Sequence, residues 1–463
     1  MAKPTTVREL RDSGYTPKSV KQELRDNLIA RLRRGEGLFT GIVGYEQTVV
    51  PQIENAVLSG QDIVFLGERG QAKTRMARLL VGLLDAEMPA LAACEISDEP
   101  FAPICSACRQ RVAEQGDRAA IAWIPRDRRY GEKLATPDIT IADLIGEVDP
   151  IRVAEGRYLS DELTIHYGLL PRTNRGIFAL NELPDLAERI QVGLLNIMEE
   201  RDVQIRGYKV RLPIDLYVVA SANPEDYTNR GRIITPLKDR FGSQIRTHYP
   251  KRVEDEIAIM EAERTAFPDA GPETRSPEFM KQLVAEVTHL ARRSPDISQR
   301  SGVSVRVTIC NYENLLSSAV KRAIRLGEAV AAPRVSDLGA ITASTGGKIE
   351  LESLGDAGED KVLGKIMQRA LLNVFNRSFT SGELDEVGAF QDGLKVEVSD
   401  SMPADAYLRH LGQVRPLQAA VRKLGAHDPA SVAAAVEFVL EGLHLSKKLN
   451  KDVQAGQTRY RVA

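Results

Sequence analysis

Residues 63–74 read Ile63-Val64-Phe65-Leu66-Gly67-Glu68-Arg69-Gly70-Gln71-Ala72-Lys73-Thr74. Four apolar residues in a row are the pattern of a strand buried on both faces, as in a parallel sheet. A glycine-bearing loop and a Lys-Thr pair follow, and then a helix is expected from Thr74 to Leu84. Strand, glycine loop, Lys-Thr and helix are the parts of a phosphate-binding loop. Backbone N–H groups at a helix start face phosphate oxygens. Lys73 would reach the β- and γ-phosphates of ATP, and the Thr74 hydroxyl would hold Mg²⁺. Ala72 stands where the usual motif has glycine. It fits if its φ is negative and nothing crowds its Cβ. A surface lysine after a chance strand-turn-helix is the bland alternative.

Two further buried runs lie downstream, Ile177-Phe178-Ala179-Leu180 and Leu216-Tyr217-Val218-Val219-Ala220. A helix is expected between them, from Leu186 to Glu200. Strands alternating with helices predict an α/β layer with a parallel sheet. The second strand ends Asn181-Glu182-Leu183-Pro184-Asp185. A loop that hydrolyses ATP needs a carboxylate near the metal and the attacking water. Glu182 can polarise water. Asn181 stands where Asp is usual; it can accept from Mg²⁺-bound water but brings no charge. That leaves binding intact and predicts slow hydrolysis unless a neighbour such as Asp185 supplies the charge.

Outside this region the texture changes. Residues 1–36 are charged and helix-prone, with Leu24, Leu28 and Leu32 on one stripe. After Pro250 helices are expected over 254–264, 277–292, 305–326 and 335–343. From about 346 a looser, acidic, glycine-bearing stretch leads to a helix with Val432, Val436, Leu440 and Leu443 on one face. The 463 residues are enough for about three domains. With 43% hydrophobic and 27% charged residues, the composition is that of a globular protein. A net charge of −2 gives no basic footprint, so nucleic acid is not expected as the main partner. The apolar run at 432–445 contains Glu437 and Glu441, so no membrane span is expected. Four cysteines and no apolar leader point to a cytoplasmic location.

Several short stretches in order resemble the ATPase (I) subunit of magnesium chelatase, within the AAA+ group that includes the MoxR ATPases. They are Gly41-Ile42-Val43-Gly44, the loop Gly67–Thr74, DLIGEVDPIRVAEGRYL at 143–159, GLLPRTNRGIFALNELPDL at 168–186, SANPED at 221–226 and LKDRFG at 237–242. The resemblance covers roughly 37–345 and names no family for 346–463. It implies an α/β fold: an AAA+ P-loop NTPase core over 37–250, an all-helical lid over 251–345 and a mostly helical C-terminal region over 346–463, after the N-terminal helical extension 1–36. The last region is a candidate for partner binding.

The resemblance also implies roles. Gly67, Glu68, Arg69, Gly70, Gln71, Ala72, Lys73 and Thr74 would bind nucleotide, with Thr74 and Asn181 on Mg²⁺ through water. Glu182 would be the catalytic base and Asn223 sensor 1. Arg240 would be the arginine finger, and Arg306 sensor 2, with Arg300 as its nearby competitor. Residues 139–170 look like the insert in the second core helix, and 203–212, turning near Arg206-Gly207-Tyr208, like the hairpin before sensor 1. A finger acting in trans implies a ring, expected as a hexamer, and a protein with a von Willebrand A domain as partner. The function implied is a ring motor that remodels or activates another protein, with metal insertion inherited by name only. The alternative is a nucleotide-dependent scaffold or switch with negligible turnover. A third reading is a DNA motor, against which the acidic balance stands, or a σ54-type activator, against which stands the absence of a GAFTGA loop from the sequence.

One cluster lies outside this scheme. Cys105-Ser106-Ala107-Cys108 is a C-x-x-C, and Cys94 precedes it. Zinc is the metal such a set would take, but a structural site wants four ligands. Cys310 or His166 would have to arrive through the fold. Three cysteines on a surface insertion are the plainer reading.

Overall fold

The computed structural model describes residues 3–148, 164–204, 211–223, 231–267, 271–298, 302–352, 358–380, 382–383, 395–413, 415–454 and 457–462. The expected turn at Arg206-Gly207-Tyr208, residues 149–163 of the insert 139–170, the end of SANPED and Arg300 lie outside them. The chain divides into two compact units, Met1–His248 and Tyr249–Ala463.

The first unit is built on five parallel strands: β1 (Ile63–Leu66), β2 (Tyr130–Leu134), β3 (Gly176–Asn181), β4 (Leu216–Ala222) and β5 (Ser243–Arg246). Their order is β5-β1-β4-β3-β2. Ile63 pairs with Val219 on one side and Ser243 on the other; Leu216 pairs with Gly176, and Tyr130 with Ile177. Side chains alternate between the faces of a strand, so each run feeds two cores. Val64, Phe178, Leu180, Val218 and Ala220 face Ile190 and Leu194. Ile63, Phe65, Ile177, Ala179, Tyr217 and Val219 face Leu24, Leu28, Ile53 and Met76. Burial on both faces is why β1, β3 and β4 read as unbroken apolar runs, whereas β2 and β5 are partly exposed and polar. The sheet with its covering helices is an α/β layer on a parallel sheet, the fold class expected from the sequence.

Segment 1–36 is part of this core. Leu24 and Leu28 are fully buried, while Leu32 is 41% exposed. On the same helix, Val20–Arg33, Glu23 receives Arg129 Nη1 at 2.7 Å and Nη2 at 2.6 Å in a buried pair. Between β1 and β2 the chain adds an antiparallel ribbon, Glu87–Leu91 with Ile121–Pro125. The described ends of the insert pair as Gly146–Val148 with Ile165–Tyr167. The hairpin before β4 forms its ladder, with Val203 opposite Leu212.

The second unit is mainly helical, with Val253–Glu263, Glu278–Ala291, Val305–Leu326, Glu359–Ser378 and Pro429–Leu445 its longest described helices. Three differences from expectation appear. Glu273–Thr274 pairs with Val330–Ala331, so the stretch expected to be all-helical carries a short strand pair. Lys395–Ser399, Gln457–Val462 and Leu449–Gln454 form an antiparallel sheet with Gln457–Val462 in the middle. One hydrophobic core runs from Ile257 to Tyr460, without a break at 346. The helix Pro429–Leu445 is buried through most of its length. Its apolar run is therefore a core helix, and its acids are paired. Glu437 accepts from Tyr407 Oη at 2.6 Å, and Glu441 from Lys451 Nζ at 2.8 Å. Among the described residues, no helix is long and apolar enough to cross a membrane.

Candidate nucleotide site

Parallel strands put all their carboxyl ends on one edge, and the loops that follow them meet there. The loop after β1 carries Gly67 to Ala72, β3 ends at Asn181 with Glu182 next, and β4 leads into Asn223. The side chains converge. Lys73, 7% exposed, donates from Nζ to Gly67 O, to Glu68 O at 2.8 Å and to Asn223 Oδ1 at 2.6 Å. Asn223 Nδ2 donates in turn to Glu182 Oε2 at 2.5 Å. The phosphate-loop lysine, the proposed sensor and the proposed base thus form one hydrogen-bonded line.

The loop is held from beneath. Thr247 Oγ1 donates to Gln71 Oε1 at 2.6 Å, and Tyr45 Oη donates to Gln71 O at 3.0 Å. A Cβ at Gly67 would lie 2.0 Å from Thr247 Oγ1 and 2.3 Å from Gln71 Oε1, so only glycine fits. Gly70 has φ +74°. Glu68 and Ala72 are half-buried and Arg69 is exposed. Ala72 differs from expectation: its φ is +57°, in the left-handed region, where a negative value had been required. It precedes the helix Lys73–Leu79, and the turn that aims the loop into that helix needs the left-handed residue glycine usually supplies. The helix is shorter than expected, tightening to a 3₁₀ turn over Leu80–Leu83.

Around Thr74 and Asn181, the pair expected to hold Mg²⁺, the structure adds a residue that the sequence did not single out. Thr74 Oγ1 donates to Asn181 Oδ1 at 3.2 Å, and Ser221 Oγ to the same oxygen at 3.3 Å. Asn181 Nδ2 donates to Glu132 Oε1 at 2.7 Å. Glu132 sits on β2, in register with Ala179 one pair before Lys133 and Leu180. Burial pushes its carboxyl up, but bonds from the Arg78 guanidinium, Tyr130 and Asn181 outweigh this and hold it below the ordinary range. Arg78 Nε and Nη2 reach its two oxygens at 2.7 and 2.9 Å. A carboxylate therefore stands beside Asn181, and it is Glu132, from a strand distant in sequence. The Thr74 hydroxyl and the Asn181 amide oxygen are the oxygen ligands of the kind Mg²⁺ prefers, with the Glu132 carboxylate on the amide nitrogen behind them.

Arg240 and Arg306 are not among these contacts. Arg240 ends the helix Thr235–Arg240, donates to Pro236 O at 2.8 Å and pairs with Glu199 of the same chain. Arg306 is exposed in the first turn of Val305–Leu326, in the second unit. Of the zinc candidates, His166 is exposed on the strand Ile165–Tyr167 and Cys310 lies in the second unit. Neither is a member of the cluster that Cys94, Cys105 and Cys108 form with Asp98.

Comparison with known proteins gives partial matches. The family described as the sigma-54 interaction domain matches residues 155–240. The acetoin dehydrogenase operon transcriptional activator AcoR of Bacillus subtilis is 23% identical over 173 residues, 37% of this chain and 28% of that protein. The match thus spans little more than a quarter of the relative's length. Among solved structures, NtrX from Brucella abortus is 15% identical, covering 76% of this chain and 65% of its own, with a TM-score of 0.42. The complex of subunits BchI and BchD of magnesium chelatase gives 22% identity, 67% and 95% coverage and a TM-score of 0.36.

Proposed function

We propose that this chain is an ATP-hydrolysing AAA+ motor that works as a ring and remodels or activates a partner protein. The observation that carries it is the line Lys73–Asn223–Glu182 at the carboxyl edge of the sheet. With ATP bound, Lys73 would exchange its carbonyl contacts for β- and γ-phosphate oxygens, and Thr74 and Asn181 would hold Mg²⁺ through water. The metal would neutralise charge on the phosphates. Glu182 would orient the attacking water and accept its proton, with Asn223 fixing the carboxylate's direction. Arg240 would reach a neighbouring subunit's nucleotide, and Arg306 would act as sensor 2.

The switch reading rested on the missing charge at Asn181. Glu132 at 2.7 Å from its amide supplies a carboxylate there, which favours turnover. The sequence motifs favour a chelatase-type or MoxR-type partner, a protein with a von Willebrand A domain. The matched sigma-54 interaction domain speaks for the ATPase module, and the sequence lacks the GAFTGA loop with which such activators would contact their factor.

Calorimetry and steady-state turnover test the proposal. Lys73→Ala should lose ATP binding, because the charge facing the phosphates is gone. Glu182→Gln should bind ATP and turn it over at least about a hundredfold more slowly. Undiminished ATP affinity in the lysine variant would refute the site.

A further inference from the structure

The loop between the ribbon strands brings Cys94, Asp98, Cys105 and Cys108 together, with one ligand atom from each all within 4.8 Å of one another. A tetrahedron of zinc–sulfur bonds of about 2.3 Å has edges of about 3.8 Å. The four groups therefore need to close by about an ångström or less to grip one ion. The spacings, C-x₃-D and C-x₂-C, fall in the range of paired ligands in structural zinc sites.

Asp98 is the informative member. It is fully buried, and its Oδ1 has no hydrogen-bond partner. Its Oδ2 accepts from Cys105 N at 3.0 Å, which turns the carboxyl toward the C-x-x-C. A buried carboxylate oxygen facing three thiols and no cation is costly, and a bound cation removes the cost. The sulfurs carry the second layer of bonds that thiolate ligands use. Asp98 N donates to Cys94 Sγ, and Cys108 N to Cys105 Sγ, each at 3.3 Å. Left-handed turns at Ala93 (φ +54°) and Ser97 (φ +52°) wrap the loop around the cluster.

The geometry points to a structural zinc site with ligands Cys94, Asp98, Cys105 and Cys108. Three thiolates select zinc over magnesium or calcium, and four protein ligands leave no open position for catalysis. The site closes a small satellite core of Val7, Leu10, Leu91, Ile96, Ala119 and Ile121. The N-terminal segment is bonded to that core through Val7 N to Ala119 O at 3.0 Å and Ile121 N to Thr5 O at 2.9 Å. Zinc would thus clamp the insertion and the N-terminal arm together. The site uses no residue of the phosphate loop, so its fate is independent of the ATPase reading.

Cobalt is the spectroscopic probe. The full chain, stripped with chelator under reducing conditions, should take up one Co²⁺ per chain. Uptake should give the intense visible bands of a tetrahedral ion and near-ultraviolet thiolate charge transfer, both abolished by zinc. Asp98→Ala should weaken zinc binding at least about tenfold. Asp98→Cys should keep the metal and raise the charge-transfer intensity by about a third, as three thiolates become four. Absence of cobalt bands in the parent chain would overturn the site. An Asp98→Cys spectrum of unchanged intensity would remove Asp98 from the coordination sphere and overturn the proposed ligand set.

Discussion

Ala72 occupies the left-handed region at φ +57°, immediately before Lys73. A side chain there costs about 1–2 kcal/mol, whereas glycine adopts the conformation freely but gives a more mobile unfolded chain. Ala72→Gly should therefore stabilise the chain by about 0.5–1 kcal/mol in urea unfolding, with ATP affinity retained. A lower midpoint would show that Ala72 is not strained. Asn181 calls for the opposite care. Replacing it by Asp turns a 2.7 Å amide-to-carboxylate bond with Glu132 into contact between two carboxylates. Like charges raise one of the two pKa values above its unfolded value. The penalty is then present at neutral pH and relieved as pH falls through the raised pKa. Asn181→Asp should lose about 2 kcal/mol at pH 7 and recover part of it near pH 5. Adding Glu132→Gln should restore stability and keep kcat near the parent's, because one carboxylate remains. A faster, undestabilised single variant would mean that Glu132 does not supply the charge.

Three helices of the second unit meet at one buried acid. Glu256, on Val253–Glu263, takes Arg292 Nη1 at 2.8 Å and Nη2 at 3.0 Å from the end of Glu278–Ala291. Thr308, on Val305–Leu326, donates to it at 2.6 Å, and His289 Nε2 stands 3.5 Å away. Burial pushes Glu256 up, but His289, Arg292 and Thr308 outweigh it and bring the carboxyl down to about 2. A depressed folded pKa adds stability above the unfolded value, near 4.5, and that stability is lost as pH falls toward about 2. This pairing contributes about 3 kcal/mol at neutral pH. Urea melts between pH 7 and pH 3 should show it, and Glu256→Gln should flatten the acid limb while lowering neutral stability. An acid limb of equal steepness in that variant would place the coupling elsewhere.

At the scale of the whole molecule, Arg240 is spoken for within its own chain by Glu199, with a quarter of its side chain exposed. To act on a neighbour's nucleotide it must exchange Glu199 for phosphate, and assembly is what would offer that exchange. Arg240→Ala should bind ATP but lose most turnover. Mixing it with Glu182→Gln protein should restore part of the rate, since one interface can then pair an intact Glu182 with an intact Arg240. Mixtures no faster than the sum of the two separate variants would exclude action in trans. Light scattering with ATP provides the second check, where a chain that stays monomeric at high concentration contradicts the ring.

The sequence by itself determined β1, β3 and β4 and the loop between β1 and its helix, because burial on both faces leaves an apolar run, and a phosphate loop is expected from particular residue types at fixed spacing; the polar, partly exposed β2 and β5 left no such run. It put Asn181, Glu182 and Asn223 at the ends of strands and Lys73 at the start of the helix after β1. It left Glu132 unread, because that residue reaches Asn181 only through the β2–β3 register, and pairing across a sheet leaves no local trace. Asp98 escaped for a similar reason: a lone aspartate four residues after Cys94 has no meaning until the loop folds back and buries it. The left-handed φ of Ala72 was likewise out of reach, since alanine carries no turn signal and the strain is borne by surrounding structure. Local spacing named the candidate groups; long-range pairing decided which charges stand beside them.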